Sequence, residues 1–231
     1  MGFYRGANVV TSGLVLALDA ANTKSYPGSG TTWSDLSGNG YNGTLTNGPT
    51  FNSANGGSIV FDGTNDFITG SIGSINAPFT FSVFGKFNNV SQSNYEYFGN
   101  IGSSTANGMI SISKLGTQDP NTAYHGFMYV YTGTGDAVKT NIDLRTTQYQ
   151  YLTVVTTTTA PYAKVYKNGV EGALVDTITG PINSNGSYRI GVWINTWWLN
   201  GNIASCSVYN RALSSSEIQQ NYNAQKSRFG L

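Results

Sequence analysis

Short alternating runs closed by Asn-Gly and other turn pairs recur along this chain, and that punctuation restricts its fold more than any other feature. The runs are "GLVLALDA" (13–20), "SIVFDG" (58–63), "FTFSVFGKF" (79–87), "GMISIS" (108–113) and "GFMYVY" (126–131). Further on come "YLTVVTTTT" (151–159), "YAKVYKNG" (162–169), "YRIGVWIN" (188–195) and "GNIASCSVYN" (201–210). Alternation between turn residues predicts half-buried strands, and no helical periodicity interrupts it before residue 211. "KNGV" at 167–170 predicts a two-residue type I′ hairpin. The turns are too evenly spread for a linker, so the chain reads as one all-β domain over residues 13–223. Residues 1–12 form an N-terminal arm and residues 224–231 a C-terminal tail.

The late exception is "RALSSSEIQQNYNAQ" (211–225). Ser214 and Glu217 form an S-x-x-E capping box, and Leu213 and Ile218 occupy the positions of a hydrophobic staple. Ile218 and Tyr222, four apart, share one face that can dock on the sheet.

Composition fits this reading. Only 10% of the 231 residues are charged, while 29 glycines serve turns and 15 tyrosines in a 13% aromatic fraction supply a core. A net charge of +1 offers no field to a nucleic-acid backbone or an anionic membrane. The single cysteine, Cys206, rules out an internal disulfide and a cysteine-built zinc site. In "NIASCSVYN" it reads as a small buried hydrophobe. The opening "MGFYRGANVVTSG" has no apolar run of signal-peptide length, and no later segment nears the roughly 18 apolar residues of a membrane span. Synthesis in a host cytoplasm is the expectation, which leaves the final location open.

"WSDLSGNGYNGTL" (33–45) poses the metal question. Asp35, Ser37 and Asn39 place oxygens at alternate positions before Gly40, as a calcium loop begins. The twelfth position, where such a loop needs a bidentate glutamate, is Thr46, and strand-like residues flank the segment. A turn braced by Asp35 and Asn39 is the first reading. Calcium, recruiting a distant carboxylate such as Asp19 or Asp66, is the second, and no other cofactor is expected.

"GLVLALDA", "WSDLSGNGYNGTL", "IVFDGTNDFI", "FTFSVFGKF", "VYKNGV" and "LNGNIASCSVYNRALSSSEIQQNY" occur in that order over residues 13–223. Together they resemble the laminin G-like members of the concanavalin A-like lectin and glucanase superfamily. The resemblance implies a two-sheet antiparallel jelly-roll sandwich with one short C-terminal helix. The short arm followed by "GLVLALDAANTKSYPGSGTTWSDLSGNG" is similar to single-domain virion proteins of tailed phages, especially marine ones. That implies a capsid-decoration or tail-fibre part, with other virion proteins and copies of itself as partners in a homo-oligomer.

Three functions compete on this scaffold. Glycoside hydrolysis needs two carboxyl groups facing each other across the bond, and the family's acidic E-x-D-x-E strand pattern is missing. Asp62 and Asp66 bracket a turn, and His125 has no evident partner, so no catalytic residue is expected. Carbohydrate binding has candidates in "VWINTWWLNG": Trp193 on the sheet face opposite Val192, Asn195, and Trp197 in the connection, while Trp198 reads as core. Filling of the sandwich or a subunit contact is the competing use of these rings. A structural virion role ranks first and is compatible with contact to surface polysaccharide. In such a role the chain ends would serve assembly. Phe3, Tyr4, Val9 and Val10 in the arm and Phe229 in the tail are either frayed or ordered against a neighbour.

Overall fold

The computed structural model describes residues 8–90, 95–102, 108–114, 126–131, 137–174, 178 and 180–231, with the backbone alone for 126–131 and 137–139. Phe3, Tyr4 and His125 lie outside the described residues.

Among the described residues, two eight-stranded sheets carry the architecture. The back sheet runs Val170–Gly172, Ala163–Lys167, Gln150–Thr156, Thr80–Phe87, Asn200–Tyr209, Ser58–Asp62 and Thr50–Asn52. Asn200–Tyr209 is long enough to serve two partners on one edge: its first half pairs with Ser58–Asp62, its second with Leu14–Asp19. The front sheet runs Ala137–Thr140, Gly126–Tyr131, Met109–Lys114, Glu96–Ile101, Ser187–Ile190, Phe67–Ser71, Gly43–Thr46 and Thr32–Trp33. Every pairing between these strands is antiparallel. The chain is the antiparallel jelly-roll sandwich that the resemblance implies.

Alternation decides what fills the space between the sheets. Leu16 and Leu18, Ile59 and Phe61, Phe81, Val83 and Phe87, and Cys206 and Val208 face Trp33, Ile68, Phe98, Ile101, Ile110, Tyr188 and Ile190. Cys206 is buried as expected, and burial pushes its thiol well up, so it stays protonated. At the predicted hairpin Asn168 (φ 52°) and Gly169 (φ 83°) both take the left-handed conformation that a type I′ turn requires.

The helix spans Ser215–Gln225, and its capping box is complete: the Ser214 hydroxyl accepts from the Glu217 N–H, and the Glu217 carboxylate accepts from the Ser214 N–H. Both staple residues, Leu213 and Ile218, are buried, and Tyr222 lies on the same face. That face packs on the outer side of the back sheet against Phe84, Tyr151, Ala204 and Tyr209. Among the described residues no helix is long and apolar enough to cross a membrane.

The chain ends use this face too. The Val10 N–H donates to Asn221 Oδ1 at 2.7 Å, and the Val10 carbonyl accepts from the Tyr209 hydroxyl at 3.0 Å. Lys226–Phe229 form a turn of 3₁₀ helix that stacks Phe229 on Phe84 at 4.4 Å and sets it 4.2 Å from Tyr149. Arg228 reaches Asp19 at 3.0 Å and the carbonyls of Asn55 and Gly57. Val10 and Phe229, expected in arms that fray or order against a neighbour, are packed on the chain's own sandwich, while Val9 beside them is exposed. The physical reason is local: rings already line the outer face of the back sheet, and a short segment returning over them buries apolar surface without a second copy.

A further difference concerns "YRIGVWIN". The run breaks at Gly191, where φ is +85° and a Cβ would sit 2.4 Å from the Phe61 ring. Only glycine fits there, and the chain turns out of the front sheet into a separate hairpin of Val192–Trp193 with Thr196–Trp198.

Candidate functional site: an aromatic platform on the front sheet

Two hydrogen bonds lay the hairpin over the strand Glu96–Ile101, and a third closes its base. Gly191 N–H donates to the Phe98 carbonyl at 3.0 Å, Leu199 N–H returns to the Gly191 carbonyl at 2.8 Å, and the buried Asn100 amide donates to the Val192 carbonyl at 2.8 Å. Val192 and Leu199 point down and are fully buried, which leaves Trp193 on the other side.

A β-bulge shapes the upper side. Val192 pairs with Trp198 and Trp193 with Thr196, so Trp197 is the extra residue. Bulges re-aim side chains, and here the result is that Trp197 comes over Trp193, centroids 4.7 Å apart and planes 24° from parallel. Tyr97 lies close to both, 5.9 Å from Trp193 and 6.0 Å from Trp197, again nearly parallel. Tyr95 tilts against Trp197 at 5.1 Å. Tyr97 is buried, whereas both indoles stay half-buried. The three nearly parallel rings form a platform whose lower member is closed and whose upper members reach solvent.

The hairpin backbone is strained where it presents these rings. Ile194 (φ 55°) and Trp197 (φ 56°) both occupy the left-handed region. Ile194 opens the two-residue turn, at a position that favours glycine when φ is positive. Each such residue costs on the order of 1–3 kcal/mol and persists where the surroundings hold it, commonly at binding sites.

Polar groups flank the rings. Asn195, exposed at the turn, accepts a hydrogen bond at Oδ1 from Arg189 Nη1 at 2.9 Å. Glu96, between Tyr95 and Tyr97 in sequence, is buried with Lys114, Oε2 to Nζ 2.9 Å. Burial raises its carboxyl pKa against the lowering effect of Lys114 and of the Asn200 N–H on Oε1. With both side chains almost wholly buried, this pair is a structural tie and not an acid open to substrate.

Trp193, Asn195 and Trp197, singled out in the sequence, are therefore brought together. Tyr95 and Tyr97 were missed, because nothing local marks residues almost a hundred positions earlier as the floor under a tryptophan, and Arg189 was missed because its tie to Asn195 across the turn shows only in the fold. Trp198, expected in the core, is only half-buried and leans on Phe67 at 5.9 Å, since it belongs to the separate hairpin and not to either main sheet.

Side-chain hydrogen bonds brace the segment 35–42, which leads into the strand Gly43–Thr46. Asp35 Oδ1 accepts the N–H groups of Ala17 and Ser37, each at 2.9 Å, and Oδ2 accepts the Ser37 hydroxyl at 2.6 Å and the Tyr41 N–H at 3.1 Å. Asn39 donates to the Val15 carbonyl at 2.9 Å, and the Ser37 hydroxyl stands 2.8 Å from the same atom. Asp35, Ser37 and Asn39 thus tie the loop to the first strand, as the turn reading expects. Of the distant carboxylates named for the calcium reading, Asp19 meets Arg228 and Asp66 accepts from the Asp62 N–H. Asp62 itself accepts from Thr64 and Asn65 in the turn, as its sequence context predicts.

Known proteins share this architecture. Residues 61–219 match a laminin G-like family model described as the concanavalin A-like lectin/glucanases superfamily. No curated protein matches the chain in sequence. Domain 4 of AbnA, a GH43 extracellular arabinanase from Geobacillus stearothermophilus, in complex with arabinotriose, superposes with a TM-score of 0.70 at 19% identity, over 90% of this chain and 98% of that one. Trypanosoma rangeli sialidase in complex with the inhibitor DANA gives a TM-score of 0.64 at 16% identity, over 95% of this chain and 34% of the sialidase. The binding domain of botulinum neurotoxin DC in complex with rat synaptotagmin II gives 0.68 at 12% identity, over 94% of this chain and 52% of that one. At these identities the likeness is one of fold, and the chain spans about a third of the sialidase and half of the toxin structure. The family-model match covers well over half of the sequence, and the chain belongs to the concanavalin A-like lectin/glucanases superfamily, in its laminin G-like branch.

Proposed function

We propose that this protein is a non-catalytic carbohydrate-binding module whose binding surface is the Trp193–Trp197 platform. One observation carries the reading: two half-exposed indoles lie nearly parallel, backed by Tyr97 and held by a strained hairpin. Sugar rings present C–H faces that stack on such surfaces, while Asn195 at the edge supplies an amide for hydroxyl groups. The arabinotriose complex of an arabinanase domain with the same fold is consistent with this use of the sandwich. Support for a non-catalytic role comes from the described carboxylates, each of which holds a turn, a helix cap or a cation.

The setting we propose is the surface of a phage particle, as a decoration or fibre-associated protein touching host or environmental polysaccharide. That setting is supported by the sequence resemblance to single-domain virion proteins.

Affinity electrophoresis and calorimetry against a panel of soluble polysaccharides test the platform. Trp197→Ala should weaken binding about tenfold, the value of roughly 1.4 kcal/mol of stacking, and Trp193→Ala combined with it should abolish retention. Wild-type binding that survives both substitutions would move the site elsewhere. Turnover of a β-glucan or sialoside that Asp62→Asn abolishes would overturn the non-catalytic reading. Detection in purified particles would support the virion setting, and location among polysaccharide-utilisation genes would oppose it.

A further inference from the structure

We propose that the platform is selective for glycans that carry a carboxylate, such as uronic or sialic acid units, and that Arg189 reads the acid. The inference rests on the platform being a glycan site and adds the chemical class of its ligand.

The observation is an exception among arginines. Arg145 faces Asp143 at 3.3 Å, Arg211 faces Glu217 at 2.6 Å, and Arg228 faces Asp19 at 3.0 Å. Arg189 alone among the described arginines has no carboxylate. Among the described residues its side chain makes one hydrogen bond, from Nη1 to Asn195 Oδ1 at 2.9 Å. Its cross-strand neighbours in the front sheet are neutral, Asn100 on one side and Thr69 on the other. The nearest acid in sequence on the adjoining strand, Glu96, is buried and committed to Lys114.

Physical chemistry gives this exception a direction. Asn195 pins one nitrogen and so orients the planar fork, while Nη2 and Nε keep their protons for another acceptor. A fork in that state matches the two coplanar oxygens of a carboxylate. Arg189 is only partly exposed, so an ion pair formed there is screened less than one on open surface. Asn195 lies between the two platform tryptophans along the hairpin, so the hydrogen bond ties the fork to the element that carries the rings. The net charge of +1 means that attraction is local to this group. A general polyanion effect would be spread over many cations and would be much steeper in salt.

The test uses oligogalacturonate, alginate oligomers and sialyllactose, each beside its carboxyl-reduced counterpart, with the full-length protein. At least one acid should bind about tenfold more tightly than its reduced form, with the advantage shrinking as salt rises. Arg189→Gln should bring the acid down to the level of the reduced form, and Arg189→Lys should recover part of the difference. Thermal unfolding of both variants checks that they fold, and the Lys variant keeps the test decisive if the Gln variant does not. Equal binding of every acid and its reduced form, or a preference that survives Arg189→Gln, overturns this inference and leaves the platform reading standing. Absence of binding by any glycan, or binding indifferent to Trp197→Ala, overturns the platform and this inference with it.

Discussion

Each outer face of the sandwich carries a cluster of aromatic rings, and the two clusters meet opposite fates. On the back sheet Phe84 is fully buried at the centre of Tyr149, Tyr151, Tyr222 and Phe229, roofed by the helix and both chain ends. On the front sheet Tyr97 is the buried member beneath Trp193 and Trp197, whose hairpin leaves them partly open. The ring chemistry is alike, and the roof makes the difference. A cluster sealed from water contributes its area to stability. A cluster left half-open on a strained turn keeps area available for a ligand.

Truncation at the two centres should separate these roles most clearly. Phe84→Ala should destabilise the protein by about 3–5 kcal/mol, as expected for a fully buried phenylalanine. Trp197→Ala should cost less than half of that, because much of its surface is already wet. Chemical denaturation of both variants makes the comparison, and equal losses would mean that the two clusters are both structural.

A smaller effect is expected from removing the roof piecewise. Deleting residues 226–231 takes away Phe229 and the Arg228 ties to Asp19, Asn55 and Gly57. The loss should be about 2–3 kcal/mol, from one stacked ring and one partly buried ion pair. Urea unfolding measures it. A truncated chain as stable as the full one would show that the tail is an ornament on a face already closed by the helix.

The smallest effect concerns the helix cap. Arg211 at 2.6 Å and the Ser214 N–H hold the Glu217 carboxyl down to about 2, from an ordinary value near 4.5. A carboxyl whose pKa is lower folded than unfolded contributes stability above the unfolded value and loses it as pH falls through the folded one. The back-face cap should therefore weaken between about pH 4.5 and pH 2. Melting temperatures across that window should fall less steeply for Glu217→Gln than for wild type. Parallel curves would show that Glu217 contributes nothing to the acid sensitivity of the fold.

What was legible in the sequence acts over a few residues. Alternation in "GLVLALDA" and "FTFSVFGKF" specified inward and outward faces, because side chains on a strand reverse at every step. "KNGV" specified its turn, because Asn and Gly accept positive φ. Ser214 and Glu217 specified the helix start, because each satisfies the other's backbone. Asp35, Asp62 and Asp66 were legible as turn braces for the same reason, and Trp193, Asn195 and Trp197 stood out through ring density alone.

The tertiary structure decided everything that depends on register between distant segments. Gly191 looked like an ordinary strand residue until Phe61, from another sheet, occupied the space of its side chain. Tyr97 became the floor of the platform, and Arg189 a cation without a carboxylate, only once the strands at 96–101 and 187–190 were paired and the hairpin crossed them. Val10 and Phe229 looked unpartnered because their partners, Tyr209, Asn221 and Phe84, come from segments far away along the chain or behind a turn of helix. Local patterns carry the conformational preferences of the backbone. Which surface is covered, and which stays open to a ligand, is set by long-range packing that no short window of sequence contains.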